Sequence, residues 1–383
     1  MRWLALAFVM ACTQTGDTGS AASTTGGPPS VTVDPPPPPP QPPPADAGTD
    51  EAAPPLVLTI YPRHGDPTDD TTPPAGPGLV LDGGTFVADA ITWARTTLGP
   101  GTTRAFDAVV LAASPGDGTF LYDTAQFRSQ QTIVLPPEAG AADFAAAAAI
   151  VKNAELVFLP GGQQSAYVAW KSTALSAAIQ ALYDRGGVVA GTSAGALVLG
   201  AFAFDAIAAG ISENVTPSLA LADPFDPKIS FTRHMFAFPP LADAITEVHF
   251  EQRDRMGRLA MFMARQHADA AIARKPPRVL GVAIDEHAAI VIDKTNIGKL
   301  LIDQGGARAF AVVGGPPKTC VAGQALDYPG LEVHRLDDPA QNFDFAKWCG
   351  TAPVYTLDVA PNAANPFPGG SAYDRAGSIV PCP

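Results

Sequence analysis

The sequence predicts an α/β protein: a parallel sheet with helices on both faces. Three observations predict it. Short apolar runs such as Gly78-Leu79-Val80-Leu81, Leu156-Val157-Phe158-Leu159 and Val188-Val189-Ala190 lack polar alternation, as expected of strands buried on both faces. Segments of helical spacing separate them, over Phe86 to Leu98, Ala141 to Lys152 and Ser172 to Arg185. Several of the strands run into small-residue loops, at Ser114, at Gly161-Gly162 and at Ser193. Ligands of such sheets bind beyond the carboxyl ends of the strands, so the three loops are expected to converge on one crevice.

Taken in order, the chain opens on an export signature. Met1-Arg2 gives a positive start, Trp3 to Met10 a short apolar stretch, and Ala11 a small residue before Cys12. The stretch is too short to span a bilayer and reads as a signal peptide over residues 1–11. Cys12 directly after Ala11 resembles the lipobox of bacterial lipoproteins. That implies cleavage before Cys12, lipidation of its thiol, and anchoring in a bacterial cell envelope, on the periplasmic or the outer surface; plain secretion is the alternative. Residues 12–55 are rich in Thr, Ser and Gly and then in proline, with runs at Pro35 to Pro40 and Pro42 to Pro44. Such a segment buries no apolar surface and reads as an extended tether.

The folded domain is expected over 56–315. Leu56 to Ile60 reads as a first strand and Gly78 to Leu81 as a second, followed by a helix over Phe86 to Leu98. Strands follow at Phe106 to Ser114, Thr132 to Leu135 and Leu156 to Leu159, with the Ala141 to Lys152 helix before the last. The Ser172 to Arg185 helix stops at Gly186-Gly187 and feeds the Val188 strand. Ala244 to His249, a helix over Gln252 to Gln266, and a strand over Val279 to Ile284 closed by Asp285-Glu286 complete the core. Ala288 to Ile292 and Ala309 to Val313 read as strands of a hairpin-type tail. Residues 316–383 turn Pro- and Gly-rich and read as an irregular, cysteine-bearing extension packed on the core, a small β-rich addition to the fold.

The 383 residues are 46% hydrophobic and 16% charged, enough for a substantial core. A formal net charge of -13 argues against nucleic acid, whose phosphates would be repelled. With Cys12 lipidated, three cysteines remain for an oxidising compartment. Cys320–Cys349 is the expected disulfide, tying down the extension, with Cys349–Cys382 its rival. Their spacing suggests no metal site.

The stretch Val188 to Ala196 carries the chemistry. An apolar strand ends in Gly191-Thr192-Ser193-Ala194-Gly195, and an Ala/Leu-rich segment follows. A serine on such a strand–turn–helix junction has its hydroxyl exposed in a strained turn, and the free N–H groups of the helix start can hold a developing negative charge. Ser193 is the candidate nucleophile, and a plain Gly/Ser turn is the bland alternative. A serine needs a base, and the base a group that fixes its tautomer. His249 is the best placed of six histidines. Asp285 and Glu286, at the end of a buried strand, are the candidate third members. The Gly-x-Ser-x-Gly pattern also fits the elbow of α/β-hydrolase esterases, but those run Ser, acid, His, and here the histidine precedes the acid.

Four motifs occur in order: Phe158-Leu159-Pro160-Gly161-Gly162-Gln163-Gln164; Ala190 to Ala196; His249-Phe250-x-Gln252-Arg253-x-Arg255-x-Gly257-Arg258; and Gly281 to Glu286. Together they resemble the cyanophycinase and peptidase E family of serine peptidases, over about Leu79 to Val313. The resemblance implies a flavodoxin-like three-layer fold similar to the class I glutamine amidotransferases. It implies Ser193 as nucleophile, His249 as base and Glu286 as its orienting acid. Gly162 and Ala194 would form the oxyanion hole, Gln164 would line the pocket, and Arg253, Arg255 and Arg258 would surround it. The substrate implied is a peptide or small amide with an aspartyl residue at the scissile bond, a carboxylate that arginine forks suit. No metal or other cofactor is implied, and a homodimer is possible on the same ground. The chain departs from the pattern at Glu247-Val248, where cyanophycinases carry Asp-Gln, and at Gln163, where they carry Asp. These departures put cyanophycin itself in question. A binding lipoprotein that kept the fold, and an esterase, are the rival readings.

Overall fold

The structure, a computed structural model, describes residues 56–99, 104–116 and 118–382. The expected signal peptide, Cys12 and the whole of the tether lie outside the described residues. The strands that build the site are β1 (Gly78–Asp82), β2 (Asp107–Ala112), β3 (Ser129–Val134), β4 (Leu156–Leu159) and β5 (Val188–Thr192). All five run parallel in the spatial order β3-β2-β4-β5-β1. They are joined by α1 (Ala88–Leu98), α2 (Ala141–Val151) and α3 (Ala174–Asp184).

The alternation of a strand explains why the runs at the centre of the sheet are mostly apolar, β3 with Ser129-Gln130-Gln131 being the exception. Leu79, Leu81, Val109, Leu111, Val157 and Val189 face one core, with Phe144 of α2 and Leu175 and Ile179 of α3. Val80, Ala108, Val110, Phe158, Val188 and Ala190 face the other, with Ala90, Ile91 and Ala94 of α1. Each strand is therefore sandwiched between helical layers, and this parallel sheet with helices on both faces is the flavodoxin-like three-layer arrangement the sequence predicts.

Past β5 the chain enters a short helix, α4 (Ala194–Leu197), and then builds a second sheet. In it, β6 (Phe202–Phe204), β7 (Ala244–Val248) and β8 (Val279–Ile284) are parallel neighbours, and α5 (Met256–Ala268) joins β7 to β8. The expected second-half strands thus form a sheet of their own instead of extending the first. Nor do the next two expected strands pair with each other. β9 (Ala288–Ile292) lies antiparallel to β1 and to β10 (Ile297–Ile302) in the first sheet. β11 (Ala309–Gly314) lies antiparallel to β8 in the second.

The C-terminal extension is more regular than its composition suggests. β12 (Tyr328–Leu336) and β13 (Pro353–Val359) add to the second sheet beyond β11, and they bury Leu331, Val333, Leu357 and Val359. A register shift between Tyr328 and Leu331, at Pro329-Gly330, breaks the period-2 pattern that would have revealed β12. The expected Cys320–Cys349 pairing is incorrect. The chain end returns along β13, where Val354 pairs with Ser378, and this brings Cys382 to Cys349 at a Cα separation of 5.4 Å to form the disulfide. Cys320 is a free, half-buried thiol packed against the second core, and burial pushes it up to about 11.

Candidate active site

β5 delivers Ser193 into a left-handed turn, with φ 50° and ψ -117°. A non-glycine residue rarely holds such a backbone without support. Here the Ser193 N–H donates to the Asp82 carbonyl at 3.1 Å. The flanking glycines have a steric reason. A Cβ at Gly191 would stand 2.5 Å from the Gly195 backbone, and one at Gly195 would stand 2.0 Å from the Leu159 carbonyl oxygen. The helix start folds back so tightly onto β5 and the end of β4 that only glycine fits at both places.

The partners of Ser193 come from the second sheet. β7 and β8 are parallel, with Val248 opposite Ile284, so the residues just past both ends emerge side by side. His249 follows one strand, and Asp285-Glu286 the other. The His249 N–H donates to the Gly83 carbonyl at 2.8 Å, which ties this end of the second sheet to the loop after β1. His249 Nε2 lies 2.9 Å from Ser193 Oγ, and its Nδ1 lies 2.6 Å from Glu286 Oε1. A carboxylate only accepts, so Nδ1 carries the proton and Nε2 is left to accept from the serine hydroxyl. The three groups form a continuous hydroxyl–imidazole–carboxylate chain able to take a proton from Oγ.

Burial, then Arg253 and Arg255, depress the His249 pKa below its ordinary value, and the Glu286 hydrogen bond only partly offsets them. The imidazole is therefore the neutral, proton-accepting form at neutral pH. Adjacent residues on an extended chain point opposite ways, which separates the two acids after β8. Asp285 turns away from the histidine and accepts the Glu251 N–H at 2.9 Å and the Arg308 N–H at 3.0 Å. Burial pushes the Asp285 carboxyl up to about 7.

Two supporting positions escaped the sequence analysis. Gly84 has φ +140°, and a Cβ there would sit 2.0 Å from His249 Cε1, so the imidazole occupies the space a side chain would take. Asp82 is buried, and its Oδ1 accepts from Thr192 Oγ1 at 2.6 Å and the Gly84 N–H at 3.0 Å. Its Oδ2 accepts the Val87 N–H at 2.8 Å. One carboxylate thus joins the residue before Ser193 to the loop under His249, and burial raises it to about 6. The available signal was an acid closing an otherwise apolar strand directly before Gly83-Gly84.

A cleft of about 190 Å³ opens over Ser193, lined by Gly162, Gln164, Ala194, Glu213, His249 and Arg253 among others. Gln164 is buried, and its Nε2 has no hydrogen-bond partner. Ser114 is not among the residues that line the cleft, whereas Ile211, Ser212 and Glu213 are. A wider groove of about 560 Å³ lies elsewhere, between α3 and residues 234–243, and does not include Ser193.

The three arginines expected around the cleft part company. Arg253 lines it, with its side chain 40% exposed and Nη1 2.5 Å from Glu213 Oε1. Arg255 also lines it but is buried, donating to Glu247 Oε1 at 3.1 Å and the Val248 carbonyl at 2.8 Å. Arg258 is not at the cleft. Its Nε and Nη2 grip the two Glu247 oxygens at 2.7 Å each, and its Nη1 reaches the Ser212 carbonyl at 2.9 Å. Burial alone would raise the Glu247 carboxyl, but Arg258 and Arg255 hold it below the ordinary value. The expectation that Arg258 surrounds the pocket is corrected: it is the buried counter-ion of the residue before Val248. No group of three or more His, Cys, Asp or Glu side chains among the described residues is placed to hold a metal ion.

No protein-family model matches the chain, and no curated protein matches it. Solved structures that match include a peptidase from an acI-B1 Actinobacterium, at 18% identity and a TM-score of 0.41 over 66% of this chain and 96% of that one. Another is a putative peptidase E protein from Listeria monocytogenes EGD-e, at 13% identity and a TM-score of 0.35 over 60% of this chain and 100% of that one.

Proposed function

We propose that the protein is a serine hydrolase that cleaves amide bonds next to aspartyl residues. The observation that carries the reading is the Ser193–His249–Glu286 chain, with Ser193 and His249 lining a cleft that Arg253 also lines. Ser193 Oγ attacks the amide carbonyl while His249 Nε2 accepts its proton; Glu286 holds the imidazole and stabilises the imidazolium that forms. The backbone N–H groups of Gly162 and Ala194 receive the oxyanion. His249 then gives its proton to the leaving amine, and water, activated by the same imidazole, releases the acyl group. Arg253, Arg255 and Arg258 set three positive charges against the two negative charges of Glu213 and Glu247, and the partly exposed Arg253 guanidinium in the cleft lining suits a substrate carboxylate.

The test is hydrolysis of cyanophycin, β-Asp-Arg, α-Asp-X dipeptides and p-nitrophenyl acetate by the protein and by Ser193→Ala. Serine-dependent cleavage of an aspartyl amide is expected. Preference for the ester would favour the esterase reading, and no turnover by folded protein would favour a binding protein. Export and lipid anchoring through Cys12 are a separate proposal. The Cys349–Cys382 disulfide supports an oxidising compartment. Intact mass of the protein purified from its own membranes tests it, an unmodified Cys12 counting against the anchor.

A further inference from the structure

The chain beyond β13 returns to the back of the candidate site. The Tyr373 hydroxyl donates to Asp254 Oδ1 at 2.8 Å and accepts the Met256 N–H at 3.1 Å. Its ring packs edge-on against Phe250 and Phe310, at centroid distances of 5.6 and 6.0 Å. The next residue, Asp374, takes Arg308 Nη1 at 2.6 Å, while Arg308 Nη2 holds Glu251 Oε2 at 2.6 Å. The turn between His249 and α5 is thus gripped twice from the tail: at Phe250-Glu251 through a ring and an ion-pair chain, and at Asp254 to Met256 through one hydroxyl.

The turn needs holding. Asp254 is left-handed, with φ 47°, and α5 has no side-chain N-cap of its own, so the Tyr373 hydroxyl takes its first free N–H. The tail is held in its turn. Tyr355 Oη donates to the Ala372 carbonyl at 2.7 Å, Arg335 Nη1 donates to the Arg375 carbonyl at 3.2 Å, and the Cys349–Cys382 disulfide closes the end.

We propose that Tyr373 and Asp374 are positioning residues that hold the Phe250 to Met256 turn, and with it Arg253, in place beside His249. The proposal rests on the reading of Ser193 as nucleophile only for its effect on rate; its effect on His249 stands without it. The polar and charged groups facing His249 are Ser193 from β5, Glu286 from β8, and Arg253 and Arg255 from the gripped turn, with Glu213 on Arg253. If the turn loosens, the Arg253 charge moves off and the imidazole becomes easier to protonate. Removing the Asp374 charge would by itself act the other way, so a rise reports movement of the turn.

The experiment is titration of the His249 ring by NMR in the full chain, for the wild type, Tyr373→Phe and Asp374→Asn, alongside the rate of Ser193 labelling by a fluorophosphonate. Both variants are expected to raise the His249 midpoint and to slow labelling about five- to tenfold. An unmoved or lowered midpoint in a folded variant overturns the proposal, even where labelling slows; should Tyr373→Phe not fold, Asp374→Asn decides. Absence of labelling in the wild type would instead count against the hydrolase reading, while the titration still decides the role of the tail.

Discussion

The two turns that meet at the cleft are held in opposite ways. At Ser193 the backbone is fixed by what is missing: Gly191 and Gly195 have no side chains, so the helix start closes onto β5 and β4 within distances no Cβ would permit. At Phe250 to Arg258 the backbone is fixed by what is paired. Arg255 and Arg258 converge on the buried Glu247, Glu251 is taken by Arg308, and Tyr373 reaches in from 117 residues further along to cap α5. The first turn is a local construction and the second a tertiary one. Substitutions in the first should strike chemistry, and those in the second should divide between stability and substrate binding according to which arginine they touch.

The largest effect expected is on the first turn. Ser193→Ala should lower hydrolysis by about 10⁴-fold or more with folding intact, measured as the turnover rate on whichever substrate of the panel is cleaved. On the second turn, Glu247→Gln leaves two buried guanidinium groups without their carboxylate. Urea unfolding should show a loss of about 3–5 kcal/mol, since the cost of breaking a buried pair is the charge left behind. Gly84→Ala returns to the glycine side of the comparison: the added methyl group meets the imidazole, and displacement of His249 by about 1 Å should cost about 10²-fold in kcat at little cost in secondary structure by circular dichroism.

The smallest effect sharpens the contrast. Arg253→Ala removes an exposed pair and should change stability by less than about 1 kcal/mol, but should raise KM for acidic substrates over neutral ones. It should also move the pH profile. The working form of His249 is the neutral one, so activity is present above its pKa and lost as pH falls through it. With Arg253 in place that midpoint lies below the ordinary imidazole value, and without it the midpoint should rise. Equal effects of Arg253→Ala and Glu247→Gln on stability would erase the division within the second turn between its cleft-facing arginine and its buried ones.

This contrast also sets how much the sequence disclosed. Most of the parallel strands were legible because they are apolar on both faces, whereas β3, which opens Ser129-Gln130-Gln131, was legible only in its second half. The strand ends then pointed to Ser193, His249 and the Asp285-Glu286 pair, and the family resemblance to Glu286. What stayed hidden depends on partners remote in sequence. Asp82 is silent until Thr192 stands over it, 110 residues away. Glu247 looked like a departure from a familiar pattern, and the fold makes it the counter-ion that takes Arg258 out of the cleft. Ser114 was expected at the crevice, yet β4 stands between β2 and β5, and Ser114 is not among the residues that line the cleft. The division into two sheets was equally hidden, since β7 and β8 have the composition of strands in the first.

The most direct test of the account is covalent labelling of the folded protein with a fluorophosphonate at pH 8, followed by peptide mapping. The account predicts one label per chain, on Ser193, lost in His249→Ala and slowed in Glu286→Gln. Labelling elsewhere, or none in a protein that is folded by circular dichroism, would contradict it.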